Sequence, residues 1–231
     1  MQKNMDENNL KSKLAILIIF FLFLFYFGGT ENISKIKQQD KEILKNVDIK
    51  PINANDLFLG GPNSEVFIVN FIDTRASTSR EFYFKTVDVL KKYVEMGNVA
   101  FVYRPFPIKS IDNGSFLEAE AILCANSVGE QIGFWKYLKE RMSIVNEDLI
   151  ISVLPDIAEI ADIDIEKFKL CQKNNNYEDT INENIQGALN IGMTESPFAV
   201  IVNKNGQGFV LDKTASSEEI DASIKYLLSH K

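Results

Sequence analysis

Apolar runs and a helical pattern alternate in the first part of the chain's globular region. Residues 66–71 are apolar except for Asn70, which predicts a strand buried on both faces. A helical pattern follows to about residue 96, where Gly97 is a stop signal. A second apolar run at residues 99–103 predicts the next strand. Because the connections are short, this order predicts a parallel pair of strands joined by a right-handed crossover.

The second part of the chain opens with a long helical pattern. From about residue 115 to residue 191 the apolar positions recur at helical spacing. The strand AVIVN follows, then the hairpin signal Asn205-Gly206 and a second strand, GFVLD. A final helix begins at Ser216, and Glu219 completes its capping box. The whole order predicts an α/β fold in which a helical block separates a βαβ half from a ββα half.

A long apolar run near the start of the chain predicts a targeting segment. Lys3, Lys11 and Lys13 precede the uninterrupted apolar residues 14–27. That length lies between a signal-peptide core and a membrane span of about 17–25 residues. We expect residues 1–30 to be an uncleaved signal anchor with the lysines inside, which places the rest of the chain outside the cytoplasm. A cleaved signal peptide is the alternative interpretation.

The remaining chain divides into a polar stalk at residues 31–55 and one domain at residues 56–231, with the helical block at about 113–191. An apolar content of 45% supplies a sizeable core for one domain. A net charge of −7 with no basic run in the domain argues against nucleic acid as a partner. The single histidine, His230, argues against a multi-histidine metal site, so no metal and no cofactor are predicted.

The turn between the first strand and its helix is the candidate site. A first helical turn carries unpaired N–H groups and a partial positive charge, both suited to an anion or a thiolate. Thr78 and Glu81 are spaced as a capping box, so the hydroxyls here either bind an anion or only cap the helix. Arg75 and Arg80 flank the turn and either bind a carboxylate or are solvated. The turn itself consists of Ala76, Ser77, Thr78 and Ser79.

The two cysteines, Cys124 and Cys171, both belong to the helical block and form no C-x-x-C pair. Because the domain is expected outside the cytoplasm, a structural disulfide between them is the favoured interpretation. Two buried thiols and a relocated redox pair are the alternatives. A redox pair there would lack the helix N-terminus that lowers the pKa of a thiol.

Several stretches resemble the DsbA-like thiol oxidoreductases of the thioredoxin superfamily: LGGPNSEVFIVNFID, REFYFKTVDVL, NVAFVYRPFPI, AEAILCANSVGEQIGFWKYL and IGMTESPFAVIVNKNG. The resemblance extends from about Leu57 to the C-terminus and implies a thioredoxin fold with an inserted helical subdomain. It implies that the family's C-x-x-C motif falls at residues 76–79, so that both catalytic thiols are absent. It also implies that Ser196 and Pro197 form the family's cis-proline site beside this turn, where they either bind peptide or are a rigid turn kept for folding.

The resemblance and the missing thiols together lead to three hypotheses. The first is an exported, membrane-tethered pseudoenzyme of the bacterial periplasm or cell envelope that binds exported proteins or extended peptides. The second is a serine-based enzyme similar to the kappa-class glutathione transferases. The third is a structural component of an envelope assembly. Whether the protein is an enzyme is left open by the sequence, although the absence of both thiols favours a role without catalysis.

Overall fold

The computed structural model describes residues 45–107, 113–145, 150–174 and 177–230. The expected signal anchor and residues 31–44 of the expected stalk lie outside this part of the chain. Within the described part, no helix combines the length and the apolar character needed to span a membrane. Asn46–Lys231 form one unit, and its structure is given below.

A six-stranded sheet forms the centre of this unit, with the strand order β1-β6-β5-β3-β4-β2. Strand β3 is parallel to β4 and antiparallel to β5, and all residues of β3 and β4 are buried. The predicted buried strand and parallel pair are therefore confirmed. The strands are β1 Lys45–Asn46, β2 Leu57–Leu59, β3 Val66–Ile72, β4 Val99–Pro105, β5 Phe198–Asn203 and β6 Gln207–Leu211.

The helices of the described residues cover the sheet and form the predicted insertion. Helices α2 to α5 all lie between β4 and β5 along the chain, which confirms a helical block inside an α/β thioredoxin-like fold. The backbone of α2 departs from helical geometry at Glu130, where φ is 52°. The helices are α1 Ser77–Glu95, α2 Gly114–Ser143, α3 Ile150–Ile160, α4 Ile165–Asn174, α5 Glu178–Asn190 and α6 Ser217–Ser229.

Both faces of the sheet are packed, which is why its central strands are continuous apolar runs. On one face, Phe67 and Phe71 of β3 belong to a core cluster that includes Ala188 of α5. Successive residues of a strand point to opposite faces. Tyr83 of α1 packs edge-on against Phe101 of β4, with ring centroids 5.9 Å apart.

The start of α1 differs from the prediction. Its N-cap is Ala76, which makes no side-chain capping bond, so the expected capping box of Thr78 and Glu81 is wrong. The Thr78 hydroxyl instead donates to the carbonyl oxygen of Ser196 at 3.3 Å. A contact between segments distant in sequence has thus replaced the local capping contact. The capping box that begins α6 is confirmed, with both of its reciprocal hydrogen bonds present.

Residues 46–55, which the sequence analysis assigned to the stalk, lie against the sheet in the structure. Val47, Ile49 and Ile52 are partly buried and pack against the core cluster. The N–H of Val47 donates to the carbonyl oxygen of Gly206 at 3.1 Å. Asp48, which is exposed, separates Val47 from Ile49, as expected for an extended stretch with one buried side.

A disulfide joins Cys124 of α2 to Cys171 of α4 and confirms the predicted pairing. The bridge closes a loop across a sequence separation of 47 residues, entirely within the helical insertion. Both cysteines of the sequence are used in it.

Candidate functional site

The candidate site begins where β3 ends and the chain turns into α1. Asp73, the first residue after β3, is buried and organises the turn. Its carboxylate accepts a hydrogen bond from the N–H of Arg75 at 3.0 Å. Its carbonyl oxygen accepts one from the N–H of Ala76 at 3.2 Å. These two bonds hold the backbone in a tight turn that places Ala76 directly before the helix.

The Ser196 side chain joins this turn to the loop that precedes β5. Its hydroxyl oxygen accepts a hydrogen bond from the N–H of Asp73 at 2.7 Å. It also shares a hydrogen bond with the hydroxyl of Ser79, with the two oxygens 2.8 Å apart. The peptide bond between Ser196 and Pro197 is cis. The structure therefore brings together the turn at residues 76–79 and the Ser196-Pro197 pair, which the family resemblance implied to lie side by side.

The three hydroxyl residues of the turn differ in their exposure to solvent. Ser77 and Thr78 are exposed, whereas Ser79 is fully buried and bonded to Ser196. A serine hydroxyl needs an adjacent base to become a nucleophile. The single histidine, His230, bonds to Tyr226 and Ser229 at the exposed end of α6 and contacts no turn residue in the described part of the chain. The turn accordingly offers other molecules hydroxyl groups and backbone, without an evident acid–base partner.

A buried ion pair supports the turn from the side of the helical insertion. Glu118 and Arg141, both on α2, have fully buried side chains and form a 2.6 Å contact between the carboxylate and Nε. The same carboxylate oxygen accepts a hydrogen bond from the Thr74 hydroxyl at 2.6 Å. The guanidinium of Arg75 lies 3.7 Å from the other oxygen. Thr74 and Arg75, the two residues directly before the turn, thus both contact one carboxylate of the insertion.

Tyr103 of β4 is the aromatic neighbour of this charge cluster. Burial raises the pKa of Tyr103 well above its usual value, and the nearby carboxylates of Asp73 and Glu118 raise it further. The phenol is therefore neutral at physiological pH. Its ring also packs against Phe134 of α2, with centroids 5.5 Å apart, so Tyr103 links β4 to the insertion.

The sequence analysis missed the ion pair, and its alternative of a solvated Arg80 is wrong. Arg80 is buried and donates to the carbonyl oxygen of Arg75 at 3.3 Å, so it is not a solvated side chain. Glu118 lies in the stretch FLEAEAIL, where no spacing separates a buried carboxylate from the exposed glutamates that helices usually carry.

Several cavities of the unit lie away from the turn. Three of them, with volumes of about 720, 500 and 270 Å³, lie beside residues 46–57, and none is lined by a residue of the turn. In the described part of the chain, no cluster of histidine, cysteine, aspartate and glutamate is suited to hold a metal ion.

Comparison with known proteins defines the class to which this fold and turn belong. The thioredoxin family model matches residues 53–225, so the chain belongs to the thioredoxin family. Its fold is that of the DsbA-like proteins. DsbA of Chlamydia trachomatis is 19% identical, with a TM-score of 0.65 over 80% of this chain and 96% of that one. No curated protein sequence matches the chain.

Two further solved structures agree on the fold. BdbD of Bacillus subtilis, in its oxidised form, is 18% identical with a TM-score of 0.65, over 80% of this chain and 99% of that one. The α-DsbA1 of Wolbachia pipientis is 18% identical with a TM-score of 0.62, over 78% of this chain and 97% of that one. The helical insertion is therefore part of a shared architecture.

Proposed function

We propose that this protein is a DsbA-like protein that has lost the redox cysteines and binds extended peptides or segments of exported proteins. The observation that carries the proposal is that the turn lacks sulfur but is bonded to a loop distant in sequence. Residues 76–79 contain no sulfur, yet the turn is still joined to the Ser196 loop by hydrogen bonds through Thr78, Ser79 and Asp73. These bonds hold the turn and the Ser196 loop side by side, which is the arrangement that a groove for an extended peptide needs.

The lack of sulfur supports a role without disulfide exchange. That reaction needs a thiolate as nucleophile and a second thiol to resolve the mixed disulfide. Ala76 has no functional group, and the Ser79 hydroxyl is buried. The two cysteines of the chain are bonded to each other inside the insertion.

The loop before β5 supports peptide binding. Strand addition requires main-chain groups that are not already used. Among the described residues, the main-chain N–H of Ser196 has no hydrogen-bond partner. The exposed side chains of Ser77 and Thr78 lie beside this loop through the Thr78 contact. An extended peptide would therefore lie across the start of α1 and along the Ser196 loop.

The proposal includes a location of the domain outside the cytoplasm. The apolar residues 14–27 after three lysines support export with residues 1–30 as a membrane anchor and the lysines inside. The Cys124–Cys171 disulfide supports an oxidising compartment such as the periplasm or cell envelope. The part before Asn46 then serves as the tether, and the thioredoxin-like unit is the binding module.

A peptide array and a reductase assay on the full-length protein test the proposal together. We expect no reduction of insulin and measurable binding to arrayed peptides. Thr78→Trp places a large side chain on the exposed start of α1 and should abolish the binding. Lys91→Trp, also exposed on α1, is the matched control and should leave binding unchanged. Equal binding by the wild type and Thr78→Trp would contradict the proposed groove.

The two alternatives give different results in the same experiments. A serine-based transferase would bind glutathione, which calorimetric titration detects. The burial of Ser79 and its bond to Ser196 speak against this alternative. A structural envelope component would bind neither peptides nor glutathione.

A further inference from the structure

A short extended segment, residues 47–52, lies across the sheet face that α5 also covers, and we call it the strap. Its residues Val47, Ile49 and Ile52 are partly buried and pack against the core cluster. The residues between the first three apolar positions, Asp48 and Lys50, are exposed. The strap therefore turns an apolar side to the sheet and a polar side to solvent, as a bound extended peptide does.

The strap is loosely packed, because a cavity lies on each side of it. A cavity of about 500 Å³ is lined by Ile49 and Ile52 of the strap and by Phe67 and Val202 of the sheet. A second cavity, of about 720 Å³, is lined by residues 48–51 and by polar residues of α5. Protein interiors normally contain few voids larger than a water molecule. The apolar side chains of the strap therefore lack many of the contacts that a closely packed segment makes.

Few polar contacts hold the strap in place. In the described part of the chain, three of them join it to segments distant in sequence. The N–H of Val47 donates to the carbonyl oxygen of Gly206 at 3.1 Å, and Nη2 of Arg104 donates to the carbonyl oxygen of Pro51 at 3.5 Å. The third is an exposed ion pair of 2.9 Å between Lys50 and α5, which stabilises little. A segment with few buried contacts and few hydrogen bonds opens locally at a smaller free-energy cost than global unfolding.

Opening of the strap uncovers an apolar surface of the sheet. Phe58 of β2, Phe67 of β3 and Val202 of β5 belong to the core cluster and line the cavity beneath the strap. The rings of Phe58 and Phe67 have their centroids 6.2 Å apart, so they form a continuous apolar floor. An uncovered apolar surface of this kind is a site for another molecule. The strap is the cover that the structure contains, and its pattern indicates what else fits, namely an extended chain with apolar side chains on one side.

We propose that the strap is a displaceable internal ligand, and that the surface beneath it binds an extended peptide with larger apolar residues at the positions of Val47 and Ile49. The strap and the peptide compete for one surface, so the apparent affinity for the peptide is reduced to the fraction of molecules in which the strap is open. Larger side chains fill the 500 Å³ cavity that the strap leaves. The surface shares no residue with the turn at residues 76–79, so it is tested independently of the proposed function.

A fluorescent peptide with the sequence of residues 46–55, titrated into the full-length protein and followed by anisotropy, tests this competition. Val47→Asp/Ile49→Asp in the protein places two charges against the apolar surface and so releases the strap. We expect this released variant to bind the peptide about tenfold or more tightly than wild type does. Asn53→Asp/Asn55→Asp is the matched control, because it adds two charges at the same spacing on exposed residues outside the strap, and it should bind as wild type does.

Two further measurements define the ligand and the opening. A peptide with Val47→Phe should bind the released variant several-fold more tightly than the peptide of native sequence. In wild type, the amide of Val47 should exchange hydrogen about a hundredfold or more faster than the slowest amides of β3, because local opening exposes it. Addition of the Val47→Phe peptide should accelerate that exchange further. Thr78→Trp should leave all of these results unchanged, which separates them from a failure of the proposed function.

Several results would overturn the proposal. Equal affinity of wild type and the released variant would show that the strap and the peptide do not compete. Exchange of the Val47 amide as slow as that of β3 would show that the strap opens only when the whole unit unfolds. Weaker binding of the Val47→Phe peptide would exclude large apolar residues as the ligand. If the released variant does not fold, the exchange of wild type decides, and an unchanged rate for Val47 with about 1 mM of the Val47→Phe peptide would refute the proposal.

Discussion

Removal of either member of the buried Glu118–Arg141 pair should destabilise the protein strongly, and removal of both should cost much less. The pair is fully buried, with the carboxylate and Nε 2.6 Å apart. Leaving one charge buried without its partner costs about 3–5 kcal/mol. Methionine is the replacement of choice, because it fills the space of either side chain without a charge.

The remaining contacts predict an order between the two single variants. In Arg141→Met, the carboxylate of Glu118 keeps the Thr74 hydroxyl and the guanidinium of Arg75 at 3.7 Å. In Glu118→Met, the guanidinium of Arg141 keeps a 3.5 Å contact to the carbonyl oxygen of Ile144. We therefore expect the loss in free energy of unfolding to be near the upper end of about 3–5 kcal/mol for Glu118→Met. For Arg141→Met it should be near the lower end of that range.

The double variant isolates the coupling between the two residues. Glu118→Met/Arg141→Met leaves no buried charge, and its main cost is the unpaired Thr74 hydroxyl, about 1–3 kcal/mol. The single variants together cost about 6–10 kcal/mol. The coupling free energy should therefore be at least about 3 kcal/mol.

Urea unfolding of the full-length protein, followed by tryptophan fluorescence, measures these free energies. The single tryptophan, Trp135, suits the purpose, since its indole N–H donates from α2 to the carbonyl oxygen of Phe58 in β2. The exposed pair of Lys91 and Asp88 is the control, and Lys91→Met should cost less than about 1 kcal/mol. Additive single and double effects, or a cost below that of the control, would refute the reasoning.

Three further predictions concern stability. Gly208→Ala should destabilise by more than about 3 kcal/mol, because a Cβ there would clash with the backbone of Ile201. Gly187→Ala in α5 meets nothing within 4 Å and should stabilise by about 0.5–1 kcal/mol, and thermal unfolding compares the two variants. Cys171→Ser should cost about 4 kcal/mol for the 47-residue separation, as urea unfolding would show by a lower midpoint. Hydrogen bonds from lysines hold the pKa of Asp221 well below its usual value, so its stabilisation is present above the unfolded pKa of about 3.9 and is lost as pH falls through the folded pKa. Asp221→Asn should therefore be less stable than wild type at pH 7, by about 1 kcal/mol or less, with the difference vanishing in acid.

The sequence by itself determined those features that depend on neighbouring residues. The apolar run of β3 requires burial on both faces wherever the strand lies, and it is buried on both. The Asn205-Gly206 pair produces the turn between β5 and β6, with Gly206 at φ 77°. The capping box of α6 closes within four residues. These features are predictable because the groups that interact are adjacent in the chain.

Features that join distant segments were decided only by the tertiary structure. Thr78 has the spacing of a capping box with Glu81, yet its hydroxyl bonds to Ser196, 118 residues away. Glu118 and Arg141 are each ordinary in sequence, and their burial together depends on the insertion packing against the turn. A hydroxyl or a carboxylate forms hydrogen bonds of similar strength with several kinds of partner. The partner that it bonds to is therefore the one that the packing of the core brings within hydrogen-bond distance. Local spacing therefore predicts which groups can bond, and the burial of the surrounding apolar surface decides which of them do.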